Sequence, residues 1–138
     1  MKLLVIGACA ALAFTAISSH TAIAAEEAKE KSEKMTIPET ADGIMQEIHK
    51  HHGELDTVVK SKKLADVHHH AFAIRDLANA LPAKVAADKK ARVEGSAKNI
   101  AKLAEDLDKT GDANDQAGTE ANLKKLDGVL MALMSQAK

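Results

Sequence analysis

The sequence predicts an all-α protein, an antiparallel up-down-up-down four-helix bundle. Two observations carry this prediction. Apolar residues recur at spacings of three and four in four successive segments, which is the period of one buried helical face. Short connections with polar residues, proline or glycine separate the segments, and strand-like alternation is essentially absent. Four amphipathic helices joined in this way pack most simply as antiparallel neighbours around one core.

Residues 1–25 have the order of a cleavable secretory signal peptide. Lys2 supplies a positive charge, Leu3–Ile17 is almost wholly apolar, and Ala22–Ala24 places small residues at the cleavage position. Polar residues at 18–20 interrupt the apolar run, so it falls short of the ~20 residues that a transmembrane helix needs. We therefore expect a periplasmic protein without membrane insertion after signal cleavage.

The rest of the chain is predicted to be a short arm followed by one domain. Residues 26–35 are charged and poor in large apolar side chains, so we expect a flexible arm there. Residues 36–138 are predicted to form the bundle. A domain of this length can bury a modest hydrophobic core.

The first helix is predicted to begin at a capping box and to continue to about Lys60. Thr36 is the expected N-cap, Glu39 follows three residues later, and Pro38 is tolerated in the first turn. The residues expected to face the core are Ala41, Ile44, Ile48, Leu55 and Val58.

Two further helices follow, each ended by a residue that disfavours helix. The second comes after the turn Ser61–Lys63 and stops at Pro82, and the third runs from about Lys84 to Lys109 and ends at Gly111. Their expected core residues are Leu64, Val67, Ala71, Ile74, Ala78 and Leu81, then Val93, Ala97, Ile100, Ala104 and Leu107.

The fourth helix is predicted to follow a polar turn. Asp112–Thr119 supplies the turn and the N-cap region. Leucines then repeat at helical spacing at positions 123, 126, 130 and 133. The chain therefore carries four amphipathic segments in all.

In length, topology and location the chain resembles exported four-helix bundles of the cytochrome b562 and cytochrome c′ type. The resemblance covers the region after the signal peptide and implies the bundle architecture. In those proteins a histidine near the end of the last helix binds haem, but Leu123–Ala137 contains no histidine. Met45 matches the axial methionine of the b562 pattern without its histidine partner. The resemblance therefore implies the fold and not haem binding.

Composition and missing motifs exclude several classes of function. Cys9 is the only cysteine and lies in the signal peptide, which excludes disulfides, thiolate ligands and covalent haem. The net charge is −1 and Trp and Tyr are absent, so nucleic acid is not an expected partner. The sequence has no H-E-x-x-H, phosphate-binding glycine loop or G-x-S-x-G, and a di-iron Glu-x-x-His pattern is only approximated by Asp66 and His69. We expect no enzymatic activity.

Histidine is concentrated in the first two predicted helices. The six histidines after the signal peptide are His49, His51, His52, His68, His69 and His70. A hairpin folded about Ser61–Lys62 brings residue 51 opposite about residue 72, so both groups reach the same height in the bundle to within one or two turns. Neutral imidazole binds zinc, copper and nickel, and bundles build metal sites from facing helices.

Heptad positions leave two arrangements open. In the first, His52 faces His68, with His49 and His51 nearby, and the metal site consists of imidazoles alone. In the second, His70 faces Glu54. The handedness of the bundle decides between them.

The second arrangement has a further consequence for the opposite edge of the first helix. Met45, His49 and His52 then turn towards the fourth helix, which presents Met131 and Met134 at the same level. Thioether and imidazole ligands together suit copper, especially Cu(I).

Simpler interpretations of these residues also stand. His49, His68 and His69 suit a solvated surface, and His51 suits a core position with a hydrogen bond to Glu47. The two methionines of the fourth helix suit the filling of core gaps. A histidine cluster also suits a response to pH, because imidazole titrates near neutrality.

The sequence thus predicts a periplasmic transition-metal-binding protein that acts as a carrier, buffer or accessory in metal handling. Copper is the first choice because of the methionines, with nickel, zinc and cobalt open. The predicted ligands are His49, His51, His52, His68, His69, His70 and Met45. The alternative is a helical interaction or chaperone-like module with incidental histidines, bound to another periplasmic protein. A third is a bundle that binds haem without covalent attachment.

Overall fold

The computed structural model describes residues 35–137, which form four α-helices. The helices are α1 (Ala41–Lys60), α2 (Val67–Ala80), α3 (Ala87–Asp112) and α4 (Gln116–Ala137). Short 3-10 helices at Leu64–Asp66 and Leu81–Ala83 flank α2. The predicted all-α four-helix bundle is confirmed.

The predicted signal peptide, and the predicted arm up to residue 34, lie outside the described residues. Met35 is half-buried and packs against the core. Within residues 35–137, every helix is too short or too polar to cross a lipid bilayer.

Contacts between α3 and α4 show that these helices run antiparallel. The Ser96 hydroxyl donates to the Gln136 side chain over 2.9 Å, and the Asn122 amide donates to the Asp106 carbonyl over 3.2 Å. Residue numbers therefore rise along one helix as they fall along the other. These bonds also satisfy two of the three buried polar side chains of the described residues, Ser96 and Asn122, which would otherwise destabilise the fold.

The first and last helices are also antiparallel neighbours. His52 pairs with Asp127, and the Gln116 amide donates to the carbonyl of Val59 over 3.0 Å. The backbones of α1 and α4 have far fewer close approaches than those of α1 and α2, α2 and α3, or α3 and α4. The side of the bundle between α1 and α4 is therefore its loosest.

The start of α1 differs from the predicted capping box. The N-cap is Thr40, whose hydroxyl accepts a hydrogen bond from the Gly43 N–H at 3.1 Å. A Cβ on Gly43 would lie 2.9 Å from Cβ of Pro38, so the proline ring packs against the first turn from outside the helix. The predicted N-cap at Thr36, with Glu39, is therefore wrong.

The ends of α1 and α3 share one hydrogen-bond pattern. Lys62 and Asn114 have left-handed backbone angles, with φ of 58° and 53°. In each case the next N–H bonds to a carbonyl five residues earlier, at 3.0 and 2.9 Å, which is the Schellman arrangement. Gly111, the predicted end of α3, instead lies buried inside the helix.

The start of α4 lies within the predicted turn. Asp115 accepts a hydrogen bond from the Gly118 N–H through its side chain at 3.0 Å and so caps the helix. Its carbonyl accepts from the hydroxyl of the buried Thr119 at 2.7 Å. The helix therefore begins at Gln116, several residues before the leucine repeat.

The predicted core is confirmed almost throughout. Every residue predicted to face inward is buried except Ala41 and Val58, which are half-buried, and Val59 takes the inward position on α1. The largest fully buried side chains include Ile44, Ile48, Leu55, Ile74, Leu77, Ile100, Leu107, Leu126 and Leu133. This single core fixes the rotation of each helix about its axis and so fixes which polar edges meet.

Gly111 provides a test of the packing between α3 and the segment before α2. A Cβ there would lie 2.9 Å from the Leu64 carbonyl oxygen and 3.3 Å from Cβ of Val67. Gly111→Ala should therefore lower the free energy of unfolding by ~1–3 kcal/mol, the usual cost of overpacking. Urea denaturation followed by circular dichroism measures the change.

Gly95 is the matched control, since it lies on the same helix and a Cβ there would meet nothing within 4 Å. Gly95→Ala should raise the free energy of unfolding by ~0.5–1 kcal/mol, because alanine loses less backbone entropy on folding. Equal stabilisation by both substitutions would contradict the close approach at Gly111.

Candidate metal centre

The structure separates the six predicted histidine ligands. His51 and His70 lie side by side between α1 and α2, and His52 points to α4. The rings of His68 and His69 contact each other at a tilt of 40°, with centroids 3.9 Å apart, and His69 is exposed. His49 is exposed and lines a cavity between α1 and α4. The six histidines therefore do not form one cluster.

The α1–α2 hairpin brings His51, Glu54 and His70 together. His51 and Glu54 are three residues apart on α1, a spacing that places two side chains on one helical face. Leu55 next to Glu54, and Ile74 one turn after His70, are fully buried in the core, and His70 stands beside His51. Packing on either side of the group thus sets its position.

Three atoms of this group form what we call the donor triangle: Nδ1 of His51, Nδ1 of His70 and Oε2 of Glu54. The two nitrogens are 3.4 Å apart, and the carboxylate oxygen lies 3.3 Å from each. The group can hold a metal ion. Two imidazole nitrogens and one carboxylate oxygen are ligands that divalent transition metals accept.

The dimensions of the donor triangle match three corners of a tetrahedron. With metal–ligand bonds of about 2.0–2.1 Å, ligand atoms of a tetrahedral ion lie about 3.3–3.4 Å apart. Adjacent ligands of a square-planar or octahedral ion would lie about 2.8–3.0 Å apart at the same bond lengths. The observed sides of 3.3, 3.3 and 3.4 Å fit the tetrahedral case.

The donor triangle lies at the surface and leaves a route for an ion. The side chains of His51, His70 and Glu54 are 19%, 22% and 43% exposed. An open depression beside them is lined in part by Gly53, where a Cβ would meet nothing within 4 Å. A fourth ligand, such as water or a group from a partner, therefore has room.

The electrostatics of the donor triangle favour the metal-binding form of His70. Burial lowers the pKa of this imidazole below its usual value of 6.5, and the neighbouring His51 lowers it further, while the Glu54 carboxylate opposes both effects. This shift favours the neutral imidazole, which is the form that binds a metal ion.

The two arrangements left open by the sequence are now resolved. His70 faces Glu54, as in the second arrangement. The first is wrong, because the Nε2 of His52 lies 2.5 Å from Asp127 of α4 instead of facing His68 on α2. The helix packing turns that edge of α1 towards α4.

Met45 and His49 lie on the α4 side of α1, where they line one cavity with Met134. Neither belongs to the donor triangle. The hydrogen bond expected between His51 and Glu47 is also replaced, since Glu47 lies 3.5 Å from the Lys50 ammonium and His51 contacts Glu54.

Two partners of the histidines were missed as site residues at the sequence level. Glu54 was expected to face His70 in one arrangement but was not predicted as a ligand, although its spacing of three from His51 indicates a shared face. Asp127 could not be found from the sequence, because its pairing with His52 joins residues 75 positions apart.

No protein-family model, curated protein or solved structure matches this chain. The likeness to haem-binding bundles extends to the four-helix architecture alone.

The lowered pKa of His70 predicts a pH dependence of stability in the metal-free protein. The unfolded chain takes up a proton on this ring near pH 6.5, and the folded chain does so only at lower pH. The free energy of unfolding should therefore fall as the pH drops through 6.5 towards the folded pKa, and His70 should add no pH dependence well above 6.5.

Urea denaturation at a series of pH values, in the presence of a chelator, measures this effect. His70→Gln should flatten the decline between pH 7 and pH 5, about the range in which histidines titrate. His49→Gln, which changes an exposed histidine on the other side of α1, is the control and should leave the decline in place. An unchanged decline in His70→Gln would contradict the burial of this ring.

Proposed function

We propose that this chain is an exported protein that binds one divalent transition-metal ion through His51, Glu54 and His70. The observation that carries the proposal is the donor triangle, in which two nitrogens and an oxygen from two helices lie 3.3–3.4 Å apart. The order of the first 25 residues supports a periplasmic location.

Zinc is the ion we propose first for the donor triangle. Zn(II) accepts imidazole and carboxylate ligands and is usually tetrahedral, in agreement with the spacing of the three atoms. Copper was expected because of the methionines, whereas the donor triangle consists of two imidazole nitrogens and one carboxylate oxygen. Cu(II) still competes, because it binds nitrogen and oxygen ligands more tightly than the other divalent ions do.

We propose a role in carrying or buffering the ion. Three protein ligands leave one position open, where a ligand from a partner can replace water and so supply or remove the ion; zinc enzymes use the same open position to activate water. The surface position of the donor triangle supports this exchange, and the sequence has no catalytic motif.

The alternative of an interaction or chaperone-like module predicts a broad exposed apolar or charged face. A broad exposed apolar face is absent from the described residues. Among residues 35–137, the large exposed apolar side chains are Ile37 and Met131, at 37% and 64% exposure. They lie before α1 and within α4, and two isolated side chains do not make such a face.

Zinc titration by calorimetry tests the proposal. The purified metal-free chain should bind one Zn(II) at the donor triangle, and Co(II) in its place should give the intense visible absorption of a tetrahedral complex. His51→Gln, Glu54→Gln and His70→Gln should each weaken binding by ~10-fold or more. With free zinc at about 100 times Kd, the free energy of unfolding should rise by about 2.7 kcal/mol.

His69→Gln is the matched control, since it removes an exposed imidazole next to His70 without touching the donor triangle. It should bind zinc as the wild type does. The proposal is wrong if His51→Gln and His70→Gln keep wild-type affinity, or if His69→Gln loses as much affinity as they do.

A further inference from the structure

The opposite side of α1 carries a second group of metal-binding side chains. A cavity of about 140 Å³ opens between α1 and α4, on the side where these helices have the fewest close approaches. It is lined by Ala41, Asp42, Met45, His49, Met134 and Ala137. We call this space the thioether cavity.

The thioether cavity brings together ligands from both helices. Met45 and His49 are four residues apart on α1 and so share a face, and Met134 comes from α4. Met45 also packs against the core, and Met134 is half-buried in the cavity wall.

The charges around the thioether cavity favour a cation. Asp42 contributes a carboxylate, and none of the six described residues that line the space is Lys or Arg. Ala137 is the last residue of α4, where carbonyl groups without helical partners carry partial negative charge. The positive end of α1 lies nearby, and Asp42 in its first turn offsets it.

We propose that Met45, His49 and Met134 form a second site, which takes a soft monovalent cation, Cu(I). Two thioether sulfurs and one imidazole make a ligand set that Cu(I) accepts and that hard cations do not favour. This site is separate from the donor triangle, which lies on the α2 side of α1 and is made of two nitrogens and one oxygen. The chain thus has a nitrogen and oxygen site on one side of α1 and a thioether site on the other.

A competition titration tests the second site. The purified chain receives Cu(I) without oxygen, with bicinchoninate as the competing chelator. The Met45→Leu, Met134→Leu double variant should bind Cu(I) at least about tenfold more weakly and should keep its zinc affinity. Leucine is close to methionine in size, so the fold should tolerate both changes.

Met131→Leu is the matched control, because Met131 lies on the same helix, is 64% exposed and does not line the cavity. It should bind Cu(I) as the wild type does. His51→Gln with His70→Gln should lose zinc and retain Cu(I), which separates failure of this site from failure of the donor triangle. Wild-type Cu(I) affinity in the double methionine variant would overturn the proposal.

A second measurement uses the unmodified sequence, in case the double variant does not fold. With the methionine methyl groups labelled with carbon-13, Ag(I) serves as a redox-stable probe for Cu(I). The methyl signals of Met45 and Met134 should shift together as Ag(I) is added, while that of Met131 stays in place. Unshifted signals of Met45 and Met134, or an equal shift of Met131, would overturn the proposal.

Discussion

The register of the α1–α2 hairpin is the constraint on which the candidate metal centre depends. The left-handed backbone at Lys62 ends α1, and the chain then reverses direction. His70 on α2 consequently lies beside His51 on α1. A slip of one residue would rotate each side chain of α2 by about 100° and move it about 1.5 Å along the axis. The donor triangle, with sides of 3.3–3.4 Å, would not survive such a shift. The turn and the core packing beside it therefore position the ligands.

Two edges of α1 carry candidate metal ligands, because this helix packs beside both α2 and α4. One edge presents His51 and Glu54 to α2, and the other presents Met45 and His49 to the space before α4. The buried face between the edges holds Ile44, Ile48 and Leu55. Because this face cannot rotate without exposing apolar surface, nitrogen and oxygen ligands stay on one side and thioethers on the other.

Local sequence patterns predicted the core well and the helix ends poorly. No other interaction competes with the burial of a periodic apolar face. Every core residue predicted from Leu64 to Leu107 is therefore buried. The position of a helix end depends on which of several suitable residues takes the capping position. Thr36 and Thr40 both suit an N-cap, and Pro38 packed on Gly43 favours the later start. Gly111 suits a helix end, but its missing Cβ is needed for the approach of the Leu64 carbonyl, and Asn114 takes the left-handed position.

The sequence by itself determined four amphipathic helices, their order and the concentration of imidazole on the first two. The tertiary structure decided which imidazoles meet, because apolar periodicity fixes the buried face of a helix and is the same for both hands of a bundle. The observed packing places α2 on the Glu54 edge of α1 and α4 on the Met45 edge. This packing makes His51, Glu54 and His70 neighbours and places His52 beside Asp127.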